Sequence, residues 1–240
     1  MSRSDYDIII VGAGVVGSAL ACALGDSDLR VAIIEAQDIN YQWPQESYEP
    51  LSLQEAVNSF DPRVSALTVA SQQFLTELQV WPLIQQQRLS PYHYMHVWDA
   101  EGTGSIDFNA ADINEPVLGH IVENRITSIA LMQVIQQQRN IDIIAPVKLA
   151  GLQAGDTGGY LLTLEDGRML QTALVVAADG GNSYVRQQLD FTMREWDYNH
   201  HAIVATVATA RAHQHTAWQR FLPEGPLAFL PLHIDEPLSE

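Results

Sequence analysis

The first 35 residues constrain the fold more than any other part of the chain, because strand-like and helix-like patterns alternate there around a glycine loop. An apolar strand, residues 6–11, runs into the loop GAGVVG at residues 12–17, and a helix rich in small residues follows. A second apolar strand, residues 31–34, ends at Glu35. This order predicts a βαβ unit with a parallel sheet that binds a dinucleotide, FAD or NAD.

Each residue type in this motif has a physical reason. Gly12 lets the chain turn tightly out of the first strand, Gly14 lets a pyrophosphate approach the backbone, and Gly17 lets the helix pack closely on the sheet. The helix N-terminus offers free N–H groups and the positive end of a dipole to phosphates. Glu35 can accept hydrogen bonds from ribose hydroxyls and would repel a 2′-phosphate, which argues against NADP at this site.

A second motif follows a continuous apolar run at residues 174–178, a pattern typical of a strand buried on both faces. The run stops at Asp179 and Gly180, and Ser183 can cap a helix that begins just after it. Asp179 is therefore predicted at the carboxyl edge of the sheet, where ligands bind in open α/β folds.

The charge balance narrows the range of partners. The chain has 29 acidic and 12 basic residues, a net charge of −17, and the acids are scattered rather than clustered. Such a chain is repelled by nucleic-acid phosphates and by anionic lipid headgroups, so neither is predicted as a partner. No apolar run reaches the length of a membrane span, and the N-terminus lacks the pattern of a signal peptide.

Cysteine and histidine usage predicts no metal site. The single cysteine, Cys22, excludes a disulfide framework within the chain and suits a reducing cytoplasm. The eight histidines include the pair His200 and His201 and the pair His213 and His215, but a metal site needs further convergent ligands. These histidines are interpreted as ordinary strand-edge and loop residues.

The remaining pattern predicts two interleaved parts. Residues 1–89 and 117–190 should form the cofactor domain around a parallel sheet, and residues 90–116 and 191–240 part of an antiparallel substrate sheet. The fold class is therefore α/β, Rossmann-like, with an incomplete antiparallel domain. Further predicted elements are a loop at 38–58, a helix at 68–78, a hairpin at 94–108, a strand at 119–123, a helix at 125–139, strands at 141–145 and 161–164, and strands at 202–209 and 227–232.

Together with DPRVSAL at residues 61–67, the glycine and Asp-Gly motifs resemble those of the class A flavoprotein aromatic hydroxylases. Three further strings are similar to the ubiquinone-biosynthesis branch of that family: LGHIVEN at 118–124, WDYNHH at 196–201 and FLPEGPLAFLPL at 221–232. The resemblance covers essentially the whole chain. It implies an FAD-dependent monooxygenase that hydroxylates a polyprenylated phenol with NAD(P)H and O₂.

The resemblance also implies roles for single residues, although it identifies no catalytic side chain. Arg63 would reach the phosphates or the flavin edge of the cofactor. The alternative interpretation is that Arg63 forms an ion pair with Asp61. The resemblance further implies a protein that lies in the cytoplasm or at the surface of the inner membrane. It also implies that the protein associates with itself or with other ubiquinone-biosynthesis proteins. The resemblance implies that Gly12, Gly14, Gly17 and Glu35 bind the ADP half of FAD, and that Arg63 and Asn124 also contact the cofactor. Asp179 and Gly180 match a motif that contacts FAD and is linked to NAD(P)H use.

One family feature is missing from these residues. The third FAD motif, a Gly-Asp pair followed by Ala-Ala-His, does not occur in the chain. We therefore expect the 240 residues to be the N-terminal part of a longer protein, to bind FAD weakly or not at all, to associate, and to lack hydroxylase activity. Two alternatives stay open: a flavin oxidoreductase that inserts no oxygen, and a non-catalytic, truncated dinucleotide-binding module.

Overall fold

The computed structural model describes residues 4–39, 41–44, 52–155 and 158–232. Contacts divide the chain into a first unit, Met1–Trp43 with Ser128–Glu195, and a second unit, Pro44–Thr127 with Trp196–Glu240. This division assigns residues 44–89 and 117–127 to the second unit, whereas the sequence pattern assigned them to the cofactor domain. The functional domain boundaries stay a prediction.

The first unit is built on a six-stranded sheet of order β8-β2-β1-β11-β10-β9 within the described residues. The four strands β8, β2, β1 and β11 run parallel, while β10 and β9 continue the sheet as antiparallel neighbours. The strands are β1 (Tyr6–Val11), β2 (Val31–Ile34), β8 (Ile141–Ile144), β9 (Leu149–Ala154), β10 (Tyr160–Leu164) and β11 (Met169–Ala177).

Helix packing in this unit buries small side chains. Helix α1 (Val15–Ala23) buries its small residues, so the Ser18 hydroxyl reaches Met132 Sδ at 3.4 Å and the Cys22 thiol reaches the Leu131 carbonyl at 3.5 Å. Both partners lie on α5 (Asn124–Ile135), which begins in the second unit and ends in the first. The short helix α6 (Tyr184–Gln188) is capped by Ser183, as predicted. One core cluster includes Ile9, Val11, Ala32, Ile34, Leu162, Leu164 and Val185.

In the part of the second unit that the structure describes, there are two smaller sheets. One is antiparallel, of order β3-β7-β4, and the other has the order β13-β12-β5-β6. The elements are α2 (Leu53–Asn58), β3 (Val64–Thr68), α3 (Val69–Glu77), α4 (Trp81–Ile84), β4 (Ser90–Tyr92), β5 (Tyr94–Asp99), β6 (Ser105–Asn109), a 3₁₀ turn (Ala110–Ile113), β7 (Gly119–Glu123), β12 (Thr216–Leu222) and β13 (Gly225–Phe229).

The predicted hairpin is confirmed, since β5 pairs antiparallel with β6 and lies outside the parallel sheet. However, β12 pairs with β5 in parallel, so this sheet is mixed. A tight turn forces its two strands to be antiparallel, whereas a long connection lets a strand enter the sheet from either end. Adjacent strands were therefore easier to predict than the pairing of β5 with β12.

Three local predictions were wrong within the described residues. Residues 202–209 form no strand, and Ile203 is 94% exposed, because β-branched residues favour extended backbone but a strand also needs a pairing partner. The run at 174–178 is not buried on both faces, since Leu174 is 49% exposed. The predicted loop at 38–58, which lies partly outside the described residues, ends in α2, whose capping box joins Ser52 and Glu55.

No helix in the described ranges is long and apolar enough to cross a membrane. Among the same residues, no three His, Cys, Asp or Glu side chains are grouped so that they could hold a metal ion.

At the amino end of β1, the Tyr6 hydroxyl donates a hydrogen bond to Asp142 Oδ2 at 2.9 Å. Burial, followed by this bond and the charge of Asp142, raises the pKa of Tyr6 from 10.0 to about 12. The folded chain therefore keeps this proton at a pH where the unfolded chain has lost it, so the stabilisation is present below pH 10 and is lost towards pH 12.

We expect the urea midpoint of the wild type to fall more steeply than that of Tyr6→Phe between about pH 10 and about pH 12, because phenylalanine cannot ionise. The measurement is a set of urea titrations followed by circular dichroism. Parallel curves for the two proteins over that range would contradict the assignment.

Candidate functional site

The two predicted motifs meet at the carboxyl edge of the first unit's sheet. Val11 at the end of β1 is paired with Ile34 on one side and with Ala177 on the other. Just beyond these pairs, the Gly12 N–H donates to the Ile34 carbonyl at 2.8 Å, and the Ala178 N–H donates to the Val11 carbonyl at 2.8 Å. The strand ends therefore bring the glycine loop, Glu35 and Asp179 to one edge of the sheet, which is where the sequence predicted them.

Two of the three glycines are required by close backbone contacts. Gly12 has φ +104°, and a Cβ there would lie 2.3 Å from the Ala178 carbonyl oxygen. A Cβ on Gly17 would lie 2.1 Å from the Gly12 carbonyl oxygen. A Cβ on Gly14, in contrast, would meet no heavy atom of the described residues within 4 Å, apart from those of its two chain neighbours. The fold thus needs Gly12 and Gly17, while the absent side chain at Gly14 leaves open space above the loop.

The N-terminus of α1 opens into that space. Gly14 is the N-cap residue and supplies no side-chain cap, and the first turn has no acidic residue. The N–H groups of the first turn have no intrahelical partner by helix geometry, and Val16 in that turn is 76% exposed. An anion at this point would meet free backbone donors and the positive end of the helix dipole.

Glu35 fixes the glycine loop through its side chain. Its Oε2 accepts the Ala13 N–H at 2.8 Å, and its Oε1 accepts the Gln37 N–H at 2.9 Å. A carboxylate has about four acceptor positions, so each oxygen keeps room for another donor such as a ribose hydroxyl. The contact with Ala13 was not predicted, and it gives Glu35 a structural role in addition to the expected binding role.

Asp179 has one occupied and one unoccupied carboxylate oxygen. Oδ2 accepts the Val185 N–H at 3.2 Å, whereas Oδ1 is buried and has no hydrogen-bond partner within the described part of the chain. A buried acceptor without a donor is costly, so this atom favours a bound donor such as water or a ligand hydroxyl. Gly180 follows with φ +83°, a conformation that favours glycine.

Arg63 and Asn124 lie together in the second unit. The Asn124 N–H donates to the Arg63 carbonyl at 2.9 Å, and Asn124 Oδ1 accepts the Ser65 hydroxyl at 2.6 Å. The exposed Arg63 guanidinium has no partner among the described residues. Asp61 accepts the backbone N–H of Arg63 at 2.9 Å instead, so the alternative ion pair does not form there.

Sequence reasoning missed a buried carboxylate next to this pair. Glu123, at the end of β7, is 2% exposed and contacts Arg88 at 3.1 Å and Arg125 at 2.6 Å. The available signal was an acid directly after the apolar pair Ile121 and Val122, followed two residues later by an arginine. The pattern could not name Arg88, because that residue is distant in sequence.

Several histidines of the second unit make ring and hydrogen-bond contacts. His93 lies 5.4 Å from His215 between ring centroids, and His96 Nδ1 lies 2.5 Å from Asp107 Oδ1. Burial, and then the charge of His93, lower the pKa of His120, so that ring is neutral at physiological pH. These contacts give the histidines partners other than a metal ion.

Comparison with known proteins supports the hydroxylase resemblance. The chain is 34% identical over 232 residues to 3-demethoxyubiquinol 3-hydroxylase of Escherichia coli (strain K12), a match that covers 97% of this chain and 56% of that protein. It is 36% identical over 242 residues to the mitochondrial ubiquinone biosynthesis monooxygenase COQ6 of Xenopus tropicalis, covering 95% and 49%. The chain is a homologue of the ubiquinone-biosynthesis hydroxylases. It spans about half the length of the curated relatives it matches.

Solved structures agree on the fold of this homologue. 2-Methyl-3-hydroxypyridine-5-carboxylic acid oxygenase has a TM-score of 0.65 at 17% identity, covering 95% of this chain and 56% of the other. PqsL, a probable FAD-dependent monooxygenase from Pseudomonas aeruginosa, has a TM-score of 0.61 at 20% identity, covering 80% and 48%. At these identities the likeness concerns the fold alone. No protein-family model matches the chain.

Proposed function

We propose that this homologue carries the FAD-binding part of a monooxygenase that hydroxylates a polyprenylated phenol with NAD(P)H and O₂. The observation that carries the proposal is the meeting of the glycine loop, Glu35 and Asp179 at one sheet edge, in a chain 34% identical to 3-demethoxyubiquinol 3-hydroxylase of Escherichia coli. The name of PqsL as a probable FAD-dependent monooxygenase supports FAD as the cofactor. The substrate class rests on the ubiquinone names of the relatives.

The residues present fit the ADP half of FAD. The open space over Gly14 admits a pyrophosphate, and the first turn of α1 supplies N–H donors to it. Glu35 keeps free acceptor positions for ribose hydroxyls, and the unpartnered Asp179 Oδ1 can accept one more donor. In the second unit, the exposed Arg63 guanidinium has no partner among the described residues and so remains available to an anionic group.

When bound, FAD would supply the redox chemistry that activates O₂ with electrons from NAD(P)H. The contribution of the described residues is to bind and orient the cofactor, so no side chain is assigned a chemical step. Self-association, contact with other ubiquinone-biosynthesis proteins and the predicted weakness of FAD binding stay predictions.

Binding of ADP isolates the contribution of the first unit. We expect Gly14→Val to weaken ADP binding about tenfold or more, a loss of about 1.4 kcal/mol, because the side chain fills the space the pyrophosphate would occupy. Glu35→Ala should weaken it by a similar factor, because both the ribose acceptor and the Ala13 contact are lost. The measurement is isothermal titration calorimetry with ADP.

The matched control is Glu165→Ala, which removes an exposed carboxylate from the turn between β10 and β11. We expect this variant to bind ADP as the wild type does. Equal ADP affinity in all four proteins would overturn the assignment of the nucleotide site.

A chimera tests the reaction itself. We expect residues 1–240, placed in the E. coli 3-demethoxyubiquinol 3-hydroxylase in place of the matching segment, to support NAD(P)H-dependent transfer of one ¹⁸O atom from ¹⁸O₂ to the product. NAD(P)H oxidation without labelled product would favour the flavin oxidoreductase alternative. A folded chimera that binds no FAD would favour the non-catalytic module.

A further inference from the structure

We propose that Glu123 is a positioning residue whose buried carboxylate holds residues 59–63 in place, and thereby presents the Arg63 guanidinium as an anion-binding group beside Asn124. The inference rests on the proposed cofactor role of Arg63. It concerns contacts inside the second unit only.

The Glu123 carboxylate contacts three partners from three different segments. Oε1 accepts Arg88 Nη2 at 3.1 Å and Oε2 accepts the Asp61 N–H at 2.7 Å, while Arg125 Nη2 forms an ion pair with Oε2 at 2.6 Å. A carboxylate that is 2% exposed is strongly unfavourable unless it is paired in this way. The pairing therefore ties the end of β7 to the backbone at Asp61.

Both arginines extend the network to the residues before Asp61. Arg88 donates to the Ser59 hydroxyl at 2.7 Å and to the Ser59 carbonyl at 2.9 Å, and Arg125 donates to the same carbonyl at 2.6 Å. The Arg88 guanidinium also lies 4.2 Å from the centroid of the Phe60 ring. Three consecutive residues, Ser59, Phe60 and Asp61, are thus held by one cluster.

Arg63 follows this held segment by two residues and is fixed from its other side. Its N–H donates to Asp61 Oδ1 at 2.9 Å, and its carbonyl accepts the Asn124 N–H at 2.9 Å. The backbone of Arg63 is therefore bonded on both sides, while its side chain is exposed and has no partner in the described part of the chain. Fixing a backbone in advance lowers the entropy cost of binding a ligand there.

The charges of the cluster favour an anion. Glu123 and Asp61 carry two negative charges against the two positive charges of Arg88 and Arg125, and Arg63, two residues after Asp61, adds a third positive charge. In a chain of net charge −17, this is a local excess of positive charge at an exposed arginine. Glu123 therefore does more than pack in the interior, because its contacts also position Arg63 for an anionic ligand.

A double-mutant cycle separates positioning from simple stabilisation. The variants are Glu123→Gln, which keeps the shape but removes the charge, Arg63→Ala, and the two combined, with FAD as the titrated ligand. We expect each single change to weaken FAD binding about fivefold to tenfold, and the double variant to be no weaker than Arg63→Ala alone. Glu115→Gln, an exposed acid in the same unit, is the control and should bind FAD as the wild type does.

Amide hydrogen exchange supplies a readout that needs no cofactor. We expect Glu123→Gln to speed exchange at Asp61 and Arg63 while the amides of β1 keep their protection. If exchange at these two amides is unchanged, or if the effects of the two substitutions on FAD affinity simply add, Glu123 does not position Arg63 and the proposal is overturned. If the wild type binds neither FAD nor ADP, the proposed function fails, and the exchange measurement still decides the role of Glu123.

Discussion

Replacing Gly17 by alanine is expected to destabilise the first unit by about 2–4 kcal/mol, a large fraction of the stability of a typical domain. The new Cβ would lie 2.1 Å from the Gly12 carbonyl oxygen and 3.1 Å from the Ala178 Cβ, so backbone has to move. Alanine gains about 0.8–1 kcal/mol of helix propensity over glycine, which is too little to offset a clash with backbone. Urea unfolding followed by circular dichroism measures the loss.

Gly14→Ala is the matched control for this prediction. It lies in the same loop and gains the same methyl group, but among the described residues that group meets no heavy atom within 4 Å apart from those of its chain neighbours. We expect a change in unfolding free energy below about 1 kcal/mol, the size of an altered N-cap. If Gly14→Ala and Gly17→Ala lower the unfolding free energy by similar amounts, close backbone packing does not distinguish Gly17 from Gly14.

Ile33→Ala is expected to cost about 2–5 kcal/mol of unfolding free energy. Ile33 lies on β2 between β1 and β8 and is 0% exposed, so the removal of three carbon atoms leaves a cavity as well as lost apolar burial. The loss should appear as a lower urea midpoint with an unchanged slope, because the surface exposed on unfolding changes little.

Leu174→Ala provides the comparison on β11. Leu174 belongs to a run that looks as apolar as β2, but its side chain is 49% exposed in this chain. We expect a loss of no more than about 1 kcal/mol, since half of the side chain contacts water in the folded state. A loss equal to that of Ile33→Ala would show that the face carrying Leu174 is covered in solution.

Local features of the sequence were sufficient for much of the fold and for the nucleotide loop. The spacing of apolar residues predicted β1, α3, β7 and the β5–β6 hairpin, because backbone conformation and side-chain period are coupled within a few residues. The convergence of Gly12, Glu35 and Asp179 followed from one general rule, that parallel strands end at the same edge of a sheet.

Only the tertiary structure decided what depends on distant partners. The parallel pairing of β5 with β12, the exposure of Leu174 and the unpaired residues 202–209 all depend on which other element lies beside or above them. The same holds for Glu123, whose partners Arg88 and Asp61 precede it by 35 and 62 residues. A one-dimensional pattern encodes the tendency of a residue to be extended, helical or buried. Which partner a residue contacts depends on long-range packing in the tertiary structure. The positions of Arg63 and Asn124 were determined by such packing.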